Sequence, residues 1–175
     1  MRLFIAINFT DETRTQLLAL RDELRSHSKN GNFSVPENIH LTLAFLGECD
    51  VNQTAAAKAA IDVVSFEPFD IRIEHVGRFK RDGGDVWWAG VQASKPLVDL
   101  QSKLSDVLIE GGFMLDRRKY SPHITLGRNV VTDAAPWQVE PFGEKVARIE
   151  LMKSERLNGK LTYTAIYVKE SRKGD

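Results

Sequence analysis

The tetrapeptides His40-Leu41-Thr42-Leu43 and His123-Ile124-Thr125-Leu126 are near copies of each other. Each reads His-x-Thr-x with an apolar residue at both x positions. A β-strand turns alternate side chains to opposite faces, so in each segment His and Thr share one face while the apolar residues point the other way, into a core. That pattern, met twice, predicts two similar lobes that each offer one such strand to a shared central groove. Two imidazoles with a hydroxyl beside each supply the parts of a metal-free phosphoryl-transfer site: a base, an acid and donors for phosphate oxygens.

Working outward from these strands, residues 3–9 read as a buried strand. Thr10 and Asp11 supply N-cap chemistry for a helix whose stripe of Leu17, Leu18, Leu20 and Leu24 runs to about Ser26. Residues 28–32 read as a polar loop around an Asn30-Gly31 turn, and 33–35 as a short strand ended by Pro36. The first His-x-Thr strand runs on to Leu46, with Gly47 ending it, and an alanine-rich helix covers 54–64. Strands at 69–76 and 85–93 flank a hairpin turn at Arg81-Asp82-Gly83-Gly84. Pro96 opens a helix with Leu97, Leu100, Leu104, Val107 and Leu108 on its buried face, and Gly111-Gly112 closes it. The second His-x-Thr strand covers 123–127, residues 129–141 read as a loop, and strands at 146–153 and 161–169 meet at an Asn158-Gly159 turn.

Hairpins mixed with helices place the chain in the α+β class. The expected architecture is two intertwined, pseudo-symmetric lobes of mainly antiparallel sheet, with helices outside and a central groove. No linker separates the halves, so residues 1–175 read as a single bilobal domain.

The 175 residues are 42% hydrophobic and 27% charged, sufficient for a sizeable core. The 24 Lys and Arg balance the 24 Asp and Glu, which argues against nucleic-acid binding through the whole surface and leaves room for a local basic site. Cys49 is the only cysteine, so no intramolecular disulfide forms and a reducing compartment is expected. The apolar run near the N-terminus is too short for a secretory segment, and no stretch approaches the roughly 20 apolar residues of a membrane helix. The expectation is a cytoplasmic monomer with its own start codon at Met1 and no membrane contact.

In-line displacement at phosphorus puts the attacking and leaving oxygens on opposite sides, so a metal-free site needs a base on one side and an acid on the other. Histidine is the side chain whose unperturbed pKa lets it serve in either role near neutrality. The doubled motif resembles that of the 2H phosphoesterase superfamily, and more narrowly the RNA 2′,3′-cyclic phosphodiesterases, once called 2′-5′ RNA ligases. The resemblance runs almost end to end. It includes Arg2-Leu3-Phe4-Ile5-Ala6-Ile7, the run from Pro36 through His40-Leu41-Thr42-Leu43-Ala44-Phe45-Leu46-Gly47, and Val86-Trp87-Trp88-Ala89-Gly90-Val91. It continues through Gly112-Phe113, Tyr120-Ser121-Pro122-His123-Ile124-Thr125-Leu126-Gly127-Arg128 and the strand near Tyr163.

The resemblance implies that His40 is the proton donor and His123 the proton acceptor, that Thr42 and Thr125 hold phosphate oxygens, and that no cofactor or metal is needed. Arg128 matches a basic position after the second motif that complements phosphate charge. Strict alternation points Arg128 away from His123, so it serves only where the strand ends or bulges. Ser121 departs from the family, where many relatives carry a basic residue. The implied substrates are RNA ends or small cyclic nucleotides. Two other functions share the pattern: reversible 2′-5′ joining of RNA, and a non-catalytic module that binds RNA ends.

The remaining chemistry-bearing residues have plainer readings. His27 reads as solvated and His75 as structural, although His75 with an Asp or Glu is the one candidate to complete a metal site. One of Trp87 and Trp88 faces the core, leaving the other for sheet packing or a nucleobase. Arg117-Arg118-Lys119 leads into His123 and is a candidate for RNA backbone contact, whereas Arg78, Lys80 and Arg81 flank a hairpin. Cys49 has no basic neighbour in sequence to activate it.

Overall fold

Every residue of Leu3-Phe4-Ile5-Ala6-Ile7 is buried, so the first strand, β1 (Arg2–Ile7), is covered on both faces. A computed structural model describes residues 1–172. Among them β1 is followed by α1 (Asp11–Ser26), β2 (Ser28–Phe33), a 3-10 turn (Pro36–Asn38), β3 (Leu41–Glu48) and α2 (Val51–Val63). Then come β4 (Phe69–Phe79), β5 (Asp85–Val91), α3 (Lys95–Glu110), β6 (His123–Thr132), β7 (Trp137–Val146), β8 (Arg148–Leu157) and β9 (Lys160–Glu170).

The strands form two sheets, one in the order β3-β1-β8-β9 and one in the order β2-β6-β5-β4-β7, with every pairing antiparallel. The fold is α+β, with two sheets as expected. The chain's first and last strands share the first sheet, whereas β2 crosses to the edge of the second, beside β6. That exchange intertwines the lobes.

One apolar core runs through both sheets. From the first sheet it takes Leu3, Ile5, Ile7, Leu41, Leu43 and Leu151, and from the second Ile73, Trp87, Ala89, Ile124 and Leu126. The helices cover it with Leu17 and Leu24 of α1, Ala57 and Ile61 of α2, and Leu97, Leu100, Leu104 and Leu108 of α3. On the opposite face of the first sheet, Phe4, Ala6 and Met152 form a separate small cluster against Tyr163.

Two segments that read as loops are strands. Ser28–Phe33 pairs with β6 through two register shifts, and Trp137–Val146 pairs with β4. Both are edge strands. Strand β2 has no apolar periodicity, and Asn30-Gly31 sits in its bulges rather than in a turn. Strand β7 carries Pro141, which an edge tolerates because the missing N–H faces no partner. Strand β6 extends to Thr132, well beyond Gly127, and α2 begins earlier than residue 54. Asp50 accepts from the Gln53 N–H while the Gln53 side chain accepts from the Asp50 N–H, a reciprocal cap. Thr10 is the N-cap of α1, but its hydroxyl donates to Glu144 of β7 instead of capping the helix.

Trp87 is fully buried, with the Arg78 guanidinium 5.5 Å above its ring and Trp137 beside it. Trp87→Ala is expected to cost about 3–5 kcal/mol, as large aromatic truncations in a core do. Chemical denaturation checks this, and a loss below about 1 kcal/mol would mean that the site collapses without a cavity.

Candidate active site

Each motif strand breaks its alternation at the same place. Opposite β1, Ala6 pairs with Thr42 and Ile5 with Ala44, so Leu43 is an extra residue. Opposite β5, Trp88 pairs with Thr125 and Trp87 with Gly127, so Leu126 is an extra residue. Leu43 and Ala44 are therefore buried in succession, as are Leu126 and Gly127. A bulge of this kind re-aims the side chains after it. Phe45 and Arg128, which follow, return to the faces of His40 and His123. Arg128 thus meets the condition that strict alternation denied it.

The two imidazoles are held alike. His40 Nδ1 bonds the carbonyl of Asn38 at 2.8 Å, and His123 Nδ1 bonds the carbonyl of Ser121 at 2.7 Å. A carbonyl only accepts, so each Nδ1 carries the proton and each Nε2 is the nitrogen with the free lone pair in the neutral ring. His40 Nε2 lies 2.9 Å from Thr42 Oγ1.

Each ring also stands against an aromatic wall of its own sheet. Phe4 and Tyr163 lie 4.9 Å and 5.2 Å from His40, centroid to centroid. Phe79 and Trp88 lie 5.1 Å and 6.1 Å from His123. Strands β3 and β6 come into direct contact.

Burial holds the His40 imidazole below its ordinary pKa. The Asn38 carbonyl opposes this, while the charges of Arg128 and His123 add to it. Arg128 and His123 are therefore both within electrostatic reach of His40. Burial likewise pushes the Tyr163 phenol up, with the Arg128 and Arg2 guanidiniums pulling it down. The five residues singled out by sequence thus sit at two contacting strands, His40 and Thr42 at β3 and His123, Thr125 and Arg128 on β6, with the charges of Arg128 and His123 reaching His40. Sequence reasoning missed the walls Phe4 and Phe79. The period-2 pattern of β1 is the signal that could have found Phe4, whereas Phe79 reaches the face of His123 only through the register shift between Ile73 and His75, which no local pattern announces.

His75 is half-buried on the same face as His123, with Gly90 between them in the strand pairing. Its ring lies so close over Gly90 that a Cβ there would meet it at 2.2 Å, and it stands edge-on to Trp88 at 5.4 Å. Trp88 in turn covers Gly77. Trp88 and His75 therefore pack against each other across two glycines, beside His123. Among the described residues no three His, Cys, Asp or Glu side chains converge to hold a metal ion.

His27 is exposed, and Cys49 is buried with its thiol toward the Gly47 carbonyl and its pKa raised by burial. Arg118 is bound to Asp116 at 2.5 Å, which holds that carboxyl down at about 2 and leaves Arg117 and Lys119 as the unpaired cations of the segment among the described residues. Arg78, Lys80 and Arg81 line a surface concavity together with Asp82 and Asp85.

The model of the 2′-5′ RNA ligase superfamily matches residues 11–168. The chain belongs to this family. A relative from Archaeoglobus fulgidus, named RNA 2′,3′-cyclic phosphodiesterase, is 33% identical over 168 residues, covering 91% of this chain and 94% of the relative. One of the same name from Thermotoga maritima is 34% identical over 131 residues, 73% of this chain and 70% of the relative. Among solved structures, Escherichia coli LigT complexed with 3′-AMP matches with a TM-score of 0.86 at 26% identity, covering 98% of both chains. A Thermus thermophilus protein matches with a TM-score of 0.79 at 26% identity, covering 97% of both. The agreement over nearly the whole length shows that this 2′-5′ RNA ligase superfamily member carries both lobes of the family fold. No helix among the described residues is long and apolar enough to cross a membrane.

A lowered His40 pKa has a definite sign. Histidine stays neutral to a lower pH in the folded protein than in the unfolded chain, so its contribution to stability is present above the unfolded value of about 6.5 and is lost as pH falls through the folded value. In a histidine NMR titration of the free protein, His40 is expected to titrate below about 6.5. Inorganic phosphate bound between the rings should move that midpoint up. A free-protein midpoint above the ordinary value contradicts the burial argument.

Proposed function

We propose that this protein hydrolyses RNA 2′,3′-cyclic phosphate ends to 2′-phosphomonoesters without a metal ion, His123 acting as base and His40 as acid. The observation that carries the reading is the matched pair of imidazoles, each locked by a carbonyl bond at Nδ1, on strands in contact and with the charge of His123 reaching His40. The names of the relatives and the 3′-AMP in the LigT structure support the choice of substrate class.

The acid and base roles are assigned by family resemblance, since the two motifs are nearly symmetric. In the proposed step, His123 Nε2 takes a proton from water as its oxygen bonds to phosphorus. The bond from phosphorus to the 3′ oxygen breaks, and His40 donates its Nε2 proton to that oxygen. Thr42 and Thr125 donate to the non-bridging oxygens, and the Arg128 guanidinium offsets their charge. Burial favours the neutral His40 imidazole, and a negative phosphate beside it favours the imidazolium that the acid role requires. After each turnover the two histidines have exchanged protonation states and reset with solvent.

The description of the family favours one second reading, 2′-5′ joining, in which a 5′-hydroxyl replaces water with the same proton movements. Retention of both histidines weighs against a module that only binds, because phosphate binding alone is better served by Arg or Lys. Both motifs come from one chain, which supports a monomer as the working unit. A lone, buried Cys49 fits a reducing cytoplasm.

The test is an oligonucleotide ending in a 2′,3′-cyclic phosphate, incubated with the protein in excess EDTA. The 2′-phosphomonoester should form, and His40→Ala or His123→Ala should each lower turnover by about 10²–10⁴-fold with the fold intact. Loss of activity in EDTA, or either variant retaining full turnover, would overturn the mechanism.

A further inference from the structure

Both motif bulges are pinned by donors from outside their own strand, Tyr120 and α3 residue Gln101 at the first and Ser34 at the second. The Thr42 carbonyl accepts from the Tyr120 hydroxyl at 2.8 Å, and the Leu43 carbonyl from Gln101 Nε2 at 3.3 Å. At the equivalent positions of the second motif, the Thr125 carbonyl accepts from the Ser34 hydroxyl at 2.9 Å and the Leu126 carbonyl from the Ser34 N–H at 2.9 Å. Tyr120 stands three residues before His123, and Ser34 six residues before His40. Each approach segment therefore reaches across to the threonine of the opposite motif.

We infer that Tyr120 and Ser34 are positioning residues that set the spacing between His40 and His123. The inference rests on the two-histidine reading above. The connection through Tyr120 is short. Its hydroxyl holds the Thr42 main chain, and the Thr42 hydroxyl touches His40 Nε2. On its other side, the next residue, Ser121, holds His123 Nδ1 through its carbonyl. One tyrosine thus stands between both imidazoles, on a path of hydrogen bonds and one peptide link. β3 is the outer strand of its sheet, so β1 holds Thr42 from one side and no strand flanks it on the other. Burial keeps the Tyr120 phenol protonated far above neutral pH, so it remains a donor throughout the working range. Ser34 is itself fixed, its carbonyl accepting from Arg21 Nη1 at 2.8 Å.

A bond that only glued the lobes together would affect stability alone. A bond that sets the gap between acid and base affects the chemical step, because misplacement by about 1 Å can cost roughly 10²-fold. Tyr120→Phe keeps the ring and removes only the donor. It is expected to lower kcat for hydrolysis of a 2′,3′-cyclic phosphate oligonucleotide by roughly tenfold or more, with KM changed less than about twofold. Ser34→Ala is expected to do the same more weakly. Because both variants loosen one gap, the double variant should lose less kcat than the product of the single losses. Unchanged kcat in Tyr120→Phe, or a rise in KM with kcat preserved, overturns the proposal.

The imidazoles also report without turnover. In histidine NMR titrations, His123→Ala should shift the His40 midpoint in the native chain and shift it less in Tyr120→Phe. An equal shift in both backgrounds overturns the positioning role. If the native protein does not hydrolyse the oligonucleotide, the proposed function falls while this titration still decides the role of Tyr120.

Discussion

Burial of Leu41, Leu43, Ile124 and Leu126 in one core is the constraint on which the site depends. Side chains alternate along a strand, so anchoring these four residues inward obliges His40, Thr42, His123 and Thr125 to face outward. A slip of one residue in either strand would place an imidazole and a hydroxyl in the apolar interior and expose two large aliphatic side chains. Each aliphatic residue contributes about 1.5–3 kcal/mol when fully buried, so the slipped register is strongly disfavoured. The face that carries the His and Thr residues is the complement of the hydrophobic one, and no separate interaction has to select it.

The same core explains why both bulges are tolerated. Leu43 and Ala44 enter it in succession, as do Leu126 and Gly127, and the small second residue of each pair leaves room for the consecutive inward turn. The result differs between lobes because different residues follow. In one lobe the re-aimed residue is Phe45, with the Arg2 guanidinium 5.0 Å from its ring. In the other it is Arg128, whose charge reaches His40. A nearly symmetric backbone thereby carries asymmetric side chains, and that asymmetry breaks the equivalence of two histidines held by identical carbonyl bonds.

Much of this is legible from residue types. The repeat of His-x-Thr-x, the apolar residues between, the Asp82-Gly83-Gly84 hairpin and the leucine stripes of α1 and α3 all follow local rules that the structure obeys. Strands β2 and β7 are not legible, because an edge strand can be polar and carry proline, and its pairing is imposed by the neighbour rather than by its own pattern. The hydroxyl of Thr10 fits a helix cap on local grounds, and only the fold brings up its actual partner, Glu144, from far away in sequence. His75 and Trp88 pack together beside His123 only because Gly90 and Gly77 lie beneath them across the sheet.

By itself the sequence determined that two His-x-Thr-x strands recur, that each His shares a face with its Thr, and that the class is α+β, since these follow from period and composition within a few residues. The tertiary structure alone decided that the two motif strands come into contact, that Arg128 turns back toward His40, and that Tyr120 and Ser34 cross between motifs. Those outcomes depend on contacts between residues about 80 to 90 positions apart, created by sheet pairing and shared burial, to which no local pattern is sensitive.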